Sequence, residues 1–203
     1  MQYVGLDVHK KFTARFHRWQ KLKFFEGYTS ADKPGKKETT CPTITLVRDK
    51  NFLIVVDPGV LESQNILVDT LKREGLSLED INIVFITHSH IDHYRNTGMF
   101  PNAKVIEYYG VWDKNEVEDR QNQLTEDIKI IETPGHNYTS LTLLVKTDIG
   151  IIAICGDVFW KENYPEIDKY ADDPEKLKKT RKNLLEISDY IIPSHAGMFK
   201  VKK

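Results

Sequence analysis

Short apolar runs separated by compact polar breaks dominate the chain from residue 43 onward. Residues 43–47 and 51–56 flank the polar Arg48-Asp49-Lys50, a pattern that predicts a β-hairpin. Val56-Asp57-Pro58-Gly59 then predicts a sharp turn. Within residues 61–74, Leu61, Ile66, Leu67 and Leu71 recur at helical spacing, and Gly75 is placed to end that helix. Residues 81–86 read as a short, nearly all-apolar strand that runs straight into Thr87-His88-Ser89-His90-Ile91-Asp92-His93. Residues 103–108 and 128–132 predict two further strands. Residues 141–147 and 151–154 predict a second hairpin across Asp148-Ile149-Gly150. An amphipathic helix over 175–188 and a last strand over 189–192 lead to Pro193-Ser194-His195. Helices and strands interleave, with hairpins in both halves, so mixed α and β layers are expected rather than a simple parallel repeat.

The remaining segments are less regular. Residues 29–40 (TSADKPGKKETT) read as a loop, and residues 1–26 carry no assignable element; edge strands or a homodimer contact are both open there. A length of 203 residues fits one domain over 1–203 with a sizeable core. No stretch approaches the roughly 18 consecutive apolar residues of a membrane span. The first ten residues lack the apolar centre of a secretion signal, which makes a cytoplasmic protein the expectation. Two cysteines, Cys41 and Cys155, make no disulfide framework and fit a reducing compartment. Cys155, inside the run IIAIC, reads as a small buried hydrophobe. The formal net charge of −1 gives no global attraction to nucleic acid. The basic run 176–182 reads as a solvated helix face and the basic tail 199–203 as a polar terminus.

Histidine placement changes the picture. Of seven histidines, only His9 and His17 stand apart; the other five sit at strand-to-loop junctions beside small or turn residues. His88, His90, Asp92 and His93 form H-x-H-x-D-H directly after a buried strand. In extended chain, residues two apart project to the same side, so His88 and His90 can grip one ion together. If a helix begins at Asp92, that residue and His93 face a second ion. Imidazole and carboxylate together suit zinc, and also iron or manganese. Thr133-Pro134-Gly135-His136, Cys155-Gly156-Asp157 and Pro193-Ser194-His195 each set one further ligand-type residue at the end of an apolar run.

In this order the motifs resemble the metallo-β-lactamase superfamily, from about residue 42 to the C-terminus. The resemblance implies a four-layer αββα sandwich with two divalent metal ions, most simply zinc, at one sheet edge. It implies His88, His90 and His136 on the first ion, Asp92, His93 and His195 on the second, and Asp157 between them. It also gives Asp57 the role of orienting a ligand histidine, against the plain alternative of a turn residue before Pro58. A narrower resemblance, to the metallo-β-lactamase domain-containing protein 1 family, is carried by His93-Tyr94-Arg95-Asn96-Thr97-Gly98-Met99-Phe100-Pro101, by Gly156-Asp157-Val158-Phe159, and by Asp172-Asp173-Pro174 before the basic helix. Ser194 departs from it, since that family tends to have glycine before the last histidine.

Two ions sharing a water would generate a bridging hydroxide as nucleophile, with Asp92 accepting a hydrogen bond from it. Tyr138, Trp160 and Trp112 are candidates for lining the pocket, core packing being the commoner fate of such side chains. The stretch from Asp157 to His195 is too short for the inserted domain of the superfamily's mRNA-cleaving nucleases, and eight residues after His195 are too few for the helical domain of its glyoxalase-type thioesterases. Cysteine, the residue of the commonest true β-lactamases at that position, is replaced here by Asp157. Hydrolysis of an ester, thioester, lactone or related small-molecule bond is therefore the first expectation. Phosphodiester cleavage, including RNA, is the second, and metal binding without turnover the third.

Overall fold

The computed structural model describes residues 14–15, 21–31, 37–50 and 52–202. His9 and His17 lie outside the described residues.

Two sheets form the middle of the molecule. The first has eight strands, in the order β1 (Ala14–Arg15), β2 (Lys21–Phe25), β5 (Ile44–Asp49), β6 (Phe52–Val56), β7 (Ile83–Phe85), β8 (Lys104–Glu107), β9 (Gly110–Asp113) and β10 (Glu116–Glu118). The second has five, in the order β11 (Ile128–Glu132), β12 (Leu141–Thr147), β13 (Gly150–Ile154), β14 (Tyr190–Ile192) and β15 (Phe199–Lys200). A small ribbon of β3 (Tyr28–Thr29) and β4 (Thr40–Cys41) pairs the ends of the expected 29–40 loop. Period-two alternation sorts each strand's side chains between two faces. Val47, Ile54, Val56, Ile83 and Phe85 from the first sheet meet Ile130, Leu143, Val145, Ile152 and Ile154 from the second in one shared core. Burying each such side chain contributes about 1.5–3 kcal/mol.

The opposite faces are covered by helices. Leu67 and Leu71 of α1 (Asn65–Arg73) pack on Ile44, Leu46, Val55 and Val84 of the first sheet. Leu177 and Leu184 of α3 (Pro174–Ile187) pack on Ala153 and Ile191 of the second. The order helix, sheet, sheet, helix is the expected αββα sandwich. Helix α1 ends as its sequence directs: Gly75, at φ +70°, lets its own N–H reach the Lys72 carbonyl and that of Leu76 the Leu71 carbonyl. Asp173 caps α3 by accepting a hydrogen bond from the Lys176 N–H at 2.9 Å, with Pro174 at the first helical position.

Three strand pairs are parallel, β6 with β7, β7 with β8, and β13 with β14. Their crossovers run through α1, through α2 (Ile91–Tyr94) and through α3, so the C-terminal ends of these strands open on the same region. Asp57 follows β6, residues 87–93 follow β7, Asp157 follows β13 and His195 follows β14. His136 follows β11 and enters the same region from the second sheet. One expectation is corrected at the end of the chain. The tail beyond 199 is not merely polar, because Val201 is buried with the α3 cluster and its N–H donates to the Asp189 carbonyl at 2.9 Å.

Candidate metal centre

The seven ligand-type side chains converge in two groups. One contains His88, His90, His136 and Asp157, the other Asp92, His93 and His195, and in each the ligand atoms lie within 4.8 Å of one another. Asp157 faces both groups. Its Oδ1 lies 3.2 Å from His93 Nε2 and 3.3 Å from His195 Nε2, and its Oδ2 lies 3.3 Å from His136 Nε2. The Asp92 carboxylate stands 3.8 Å from His93 Nε2 and accepts a hydrogen bond from the Thr40 hydroxyl at 3.3 Å.

The outward nitrogens settle the tautomers, because their partners can act in only one way. His136 Nδ1 is 2.7 Å from the Asp168 carboxylate, His93 Nδ1 is 2.8 Å from that of Asp57, and His195 Nδ1 is 3.0 Å from the Cys41 carbonyl. All three acceptors lack a proton, so each imidazole donates N–H there. The Thr87 hydroxyl donates to Asp57 at 2.7 Å and thus accepts from His88 Nδ1 at 3.1 Å. Four imidazoles therefore turn an Nε2 lone pair inward when neutral. His88 Nε2 and His136 Nε2 both point at His90 Nδ1, at 3.0 and 3.1 Å. One ring nitrogen cannot donate to both. His93 Nε2 and Asp157 Oδ1, though close, are buried without a hydrogen-bond partner. Orphaned lone pairs at such depth are costly unless a cation meets them, and this donor set fits a divalent metal ion.

Protonation without a cation follows from the same geometry. Burial, reinforced by His93, holds His88 well below the ordinary imidazole value, and burial with His136 lowers His90. Burial also opposes charge on His93, but Asp57 and Asp157 outweigh it and raise His93 well above the usual value. Asp157 raises His195 against its burial. Burial opposes the Asp157 carboxylate too, yet His195 and His93 hold it well below the usual range. His93 and His195 thus favour their protonated forms, and a cation would displace those protons on uptake.

Local sequence explains the placement. Gly156 has φ +51°, and a Cβ there would overlap the Thr87 side chain, so only glycine lets the β13 loop come this close. The Asp172 and Asp173 N–H groups donate to the carbonyls of His136 and Gly135 at 3.1 and 2.9 Å, which ties the His136 turn to the start of α3. Asp57 is buried and accepts from the Thr87 N–H at 2.8 Å besides its hydroxyl, a fuller role than a turn residue needs. Trp160 is buried with its ring perpendicular to that of His195, centroids 6.1 Å apart, so it backs this histidine. Tyr138 stands on the rim, 63% exposed, and Trp112 borders a cavity beside His88. Sequence reasoning missed Asp168, Thr87 and the Cys41 carbonyl. The Thr87 hydroxyl sits beside the motif and offered a weak signal; Asp168 lies in an aperiodic stretch and offered none.

Burial pushes both thiols, Cys41 and Cys155, up to about 12. A raised thiol value keeps the unreactive form, so at pH 8 only about 10⁻⁴ of each is thiolate. Neither cysteine is expected to react with a disulfide reagent at pH 8 until denaturant is added. Rapid release of one thiol equivalent from the native protein would contradict that burial.

Comparison with known proteins gives a consistent result. The family model described as the metallo-beta-lactamase superfamily matches residues 42–120. The metallo-beta-lactamase domain-containing protein 1 of Xenopus laevis is 28% identical over 188 residues, covering 88% of this chain and 80% of that protein. The chain spans 61% of the length of the Mus musculus protein of the same name. The probable metallo-hydrolase MJ0296 of Methanocaldococcus jannaschii is 31% identical over 163 residues, 74% of each chain. Among solved structures, the dizinc quorum-quenching lactonase AidC in complex with its product N-hexanoyl-L-homoserine superposes with a TM-score of 0.68 at 15% identity, covering 96% of this chain and 94% of that one.

Proposed function

This chain belongs to the metallo-beta-lactamase superfamily and is a metal-dependent hydrolase; on that premise we propose that it holds two divalent cations and cleaves an ester, thioester or lactone. His88, His90 and His136 would hold one cation and Asp92, His93 and His195 the other, with Asp157 available to both. The observation that carries this reading is the inward convergence of lone pairs on His88, His90 and His136, beside the unpartnered His93 Nε2 and Asp157 Oδ1. Metal ions bound there would supply Lewis-acid polarisation of a substrate oxygen and would bring the pKa of water down toward about 7.

The chain's own groups do the positioning. Asp92, steadied by the Thr40 hydroxyl, accepts a hydrogen bond from the attacking water and orients it. The water oxygen adds to the acyl carbon, the carbon–oxygen or carbon–sulfur bond breaks, and the alcohol or thiol leaves with the proton that the water gives up. Asp57 and Asp168 keep His93 and His136 in the tautomer that presents a lone pair. Zinc suits the imidazole–carboxylate set, with iron and manganese as alternatives set by availability. The likeness to a lactonase fold supports a small acyl substrate. Phosphodiester cleavage is the weaker reading, since the basic face near α3 is partly spent: Lys202 pairs with Glu162 at 3.2 Å and Lys182 with Glu186 at 3.9 Å. We also propose one domain, because both sheets share one core, and a cytoplasmic location, which two free buried cysteines suit. No helix among the described residues is long and apolar enough to cross a membrane.

The test pairs elemental analysis with turnover of a chromogenic ester, a lactone and a phosphodiester. Two cations per chain and ester or lactone hydrolysis are expected. His90→Ala is expected to lower bound metal and abolish turnover; full activity in that variant would remove His90 from the centre.

A further inference from the structure

A cavity of about 310 Å³ abuts the metal centre, with His88 and Ser89 in its wall. That volume is at the lower end of small-molecule pockets, about 300–1,000 Å³. Tyr94, Tyr108 and Trp112 give it aromatic surface, and Ile86 and Val105 an aliphatic floor. Trp112 is 40% exposed, unusual for so large an apolar ring, and its indole N–H donates to the Glu107 carboxylate at 2.9 Å. The hydrogen bond fixes the ring plane, and the carboxylate lines the same cavity. Tyr109 and Tyr138, both exposed, adjoin the lining residues Tyr108 and Thr139 in sequence.

Resting on the hydrolase reading above, we infer that this cavity takes a flat, neutral, apolar acyl group of the substrate, with Trp112 as its specificity-determining residue. The cavity is lined in part by His88, a proposed ligand, so a group seated there stays attached to a bond reacting at the cations. Its aromatic surface favours a planar apolar occupant, through offset or edge contacts. Glu107 is the one carboxylate in its lining among the described residues, and it opposes an anionic group. A polyphosphate backbone is therefore disfavoured on this side of the centre.

The experiment compares 4-nitrophenyl acetate with 4-nitrophenyl phenylacetate in the metal-loaded protein, and follows the Trp112 indole N–H resonance of the metal-free protein on titration with phenylacetamide. The phenylacetyl ester is expected to be preferred by about tenfold or more in kcat/KM, near parity being expected in Trp112→Ala. Trp112→Phe keeps a planar ring and is expected to retain most of the preference, which separates loss of the pocket from loss of the fold. A saturable indole shift is expected in the wild type. Equal use of the two esters by the wild type, an unchanged preference in Trp112→Ala, or no indole shift would each overturn the pocket. A clear indole shift with turnover of neither ester would uphold the pocket and overturn the ester-hydrolase reading instead.

Discussion

Asparagine in place of Asp157 is expected to leave a folded protein that binds at most one cation per chain and hydrolyses esters far more slowly. The exchange keeps volume and removes charge. One Asp157 oxygen lies within 3.2–3.3 Å of His93 Nε2 and His195 Nε2, and the other lies 3.3 Å from His136 Nε2. An amide offers one acceptor, so it serves one group and turns N–H toward the other. The loss should exceed the ~10–100-fold cost of removing an outer hydrogen bond to a ligand. Without the carboxylate, His195 also loses the partner that raises it, and His93 keeps only Asp57. Elemental analysis, circular dichroism and ester kinetics on one preparation read all three consequences. A variant with two cations and full turnover would take Asp157 out of the centre.

The second large effect is expected at a residue that touches no cation in the proposal. Asp168 accepts from His136 Nδ1 at 2.7 Å and from the Tyr170 N–H at 2.9 Å. Asp168→Ala frees His136 to rotate or to shift its proton inward. Metal affinity at the His88–His90–His136 group, or turnover, is expected to fall about 10–100-fold. Asp168→Asn keeps an acceptor without its charge and is expected to fall between the two. A chelator competition gives the affinity directly, and an unchanged value in Asp168→Ala would mean that His136 is held by its turn alone.

How legible these features were depended on whether they left a local pattern. H-x-H-x-D-H was legible because four ligand-type residues crowd into six positions just after a buried strand, although the strand ends at Phe85 and residues 87–89 bend rather than extend. The shared core was legible because residues 128–132 and 141–147 carry strand periodicity over their full observed lengths. Asp168 was not, since its partner is 32 residues away and a loop has no period to read. The β9–β10 hairpin escaped because Glu116–Glu118 is exposed throughout and shows no apolar alternation. Helix α1 begins at Asn65, later than the apolar spacing suggested, since Leu61 packs on the sheet from outside the helix. The N-terminal segment had no pattern, yet β2 adds to the sheet along β5 through backbone pairing, which is nearly independent of side-chain identity, with Phe25 packed on the core.

Each proposed cation draws donors from both sheets. His88, His90, Asp92 and His93 follow a strand of the first, while His136, Asp157 and His195 follow strands of the second. Severing the chain between Glu118 and Ile128 would yield two fragments, neither with a full set for either ion. The ions would then act as solder, and their binding energy would appear as affinity between the fragments. The shared core would already draw two such halves together, and divalent metal would tighten that association, so the metal dependence of their affinity reads out the ions' share.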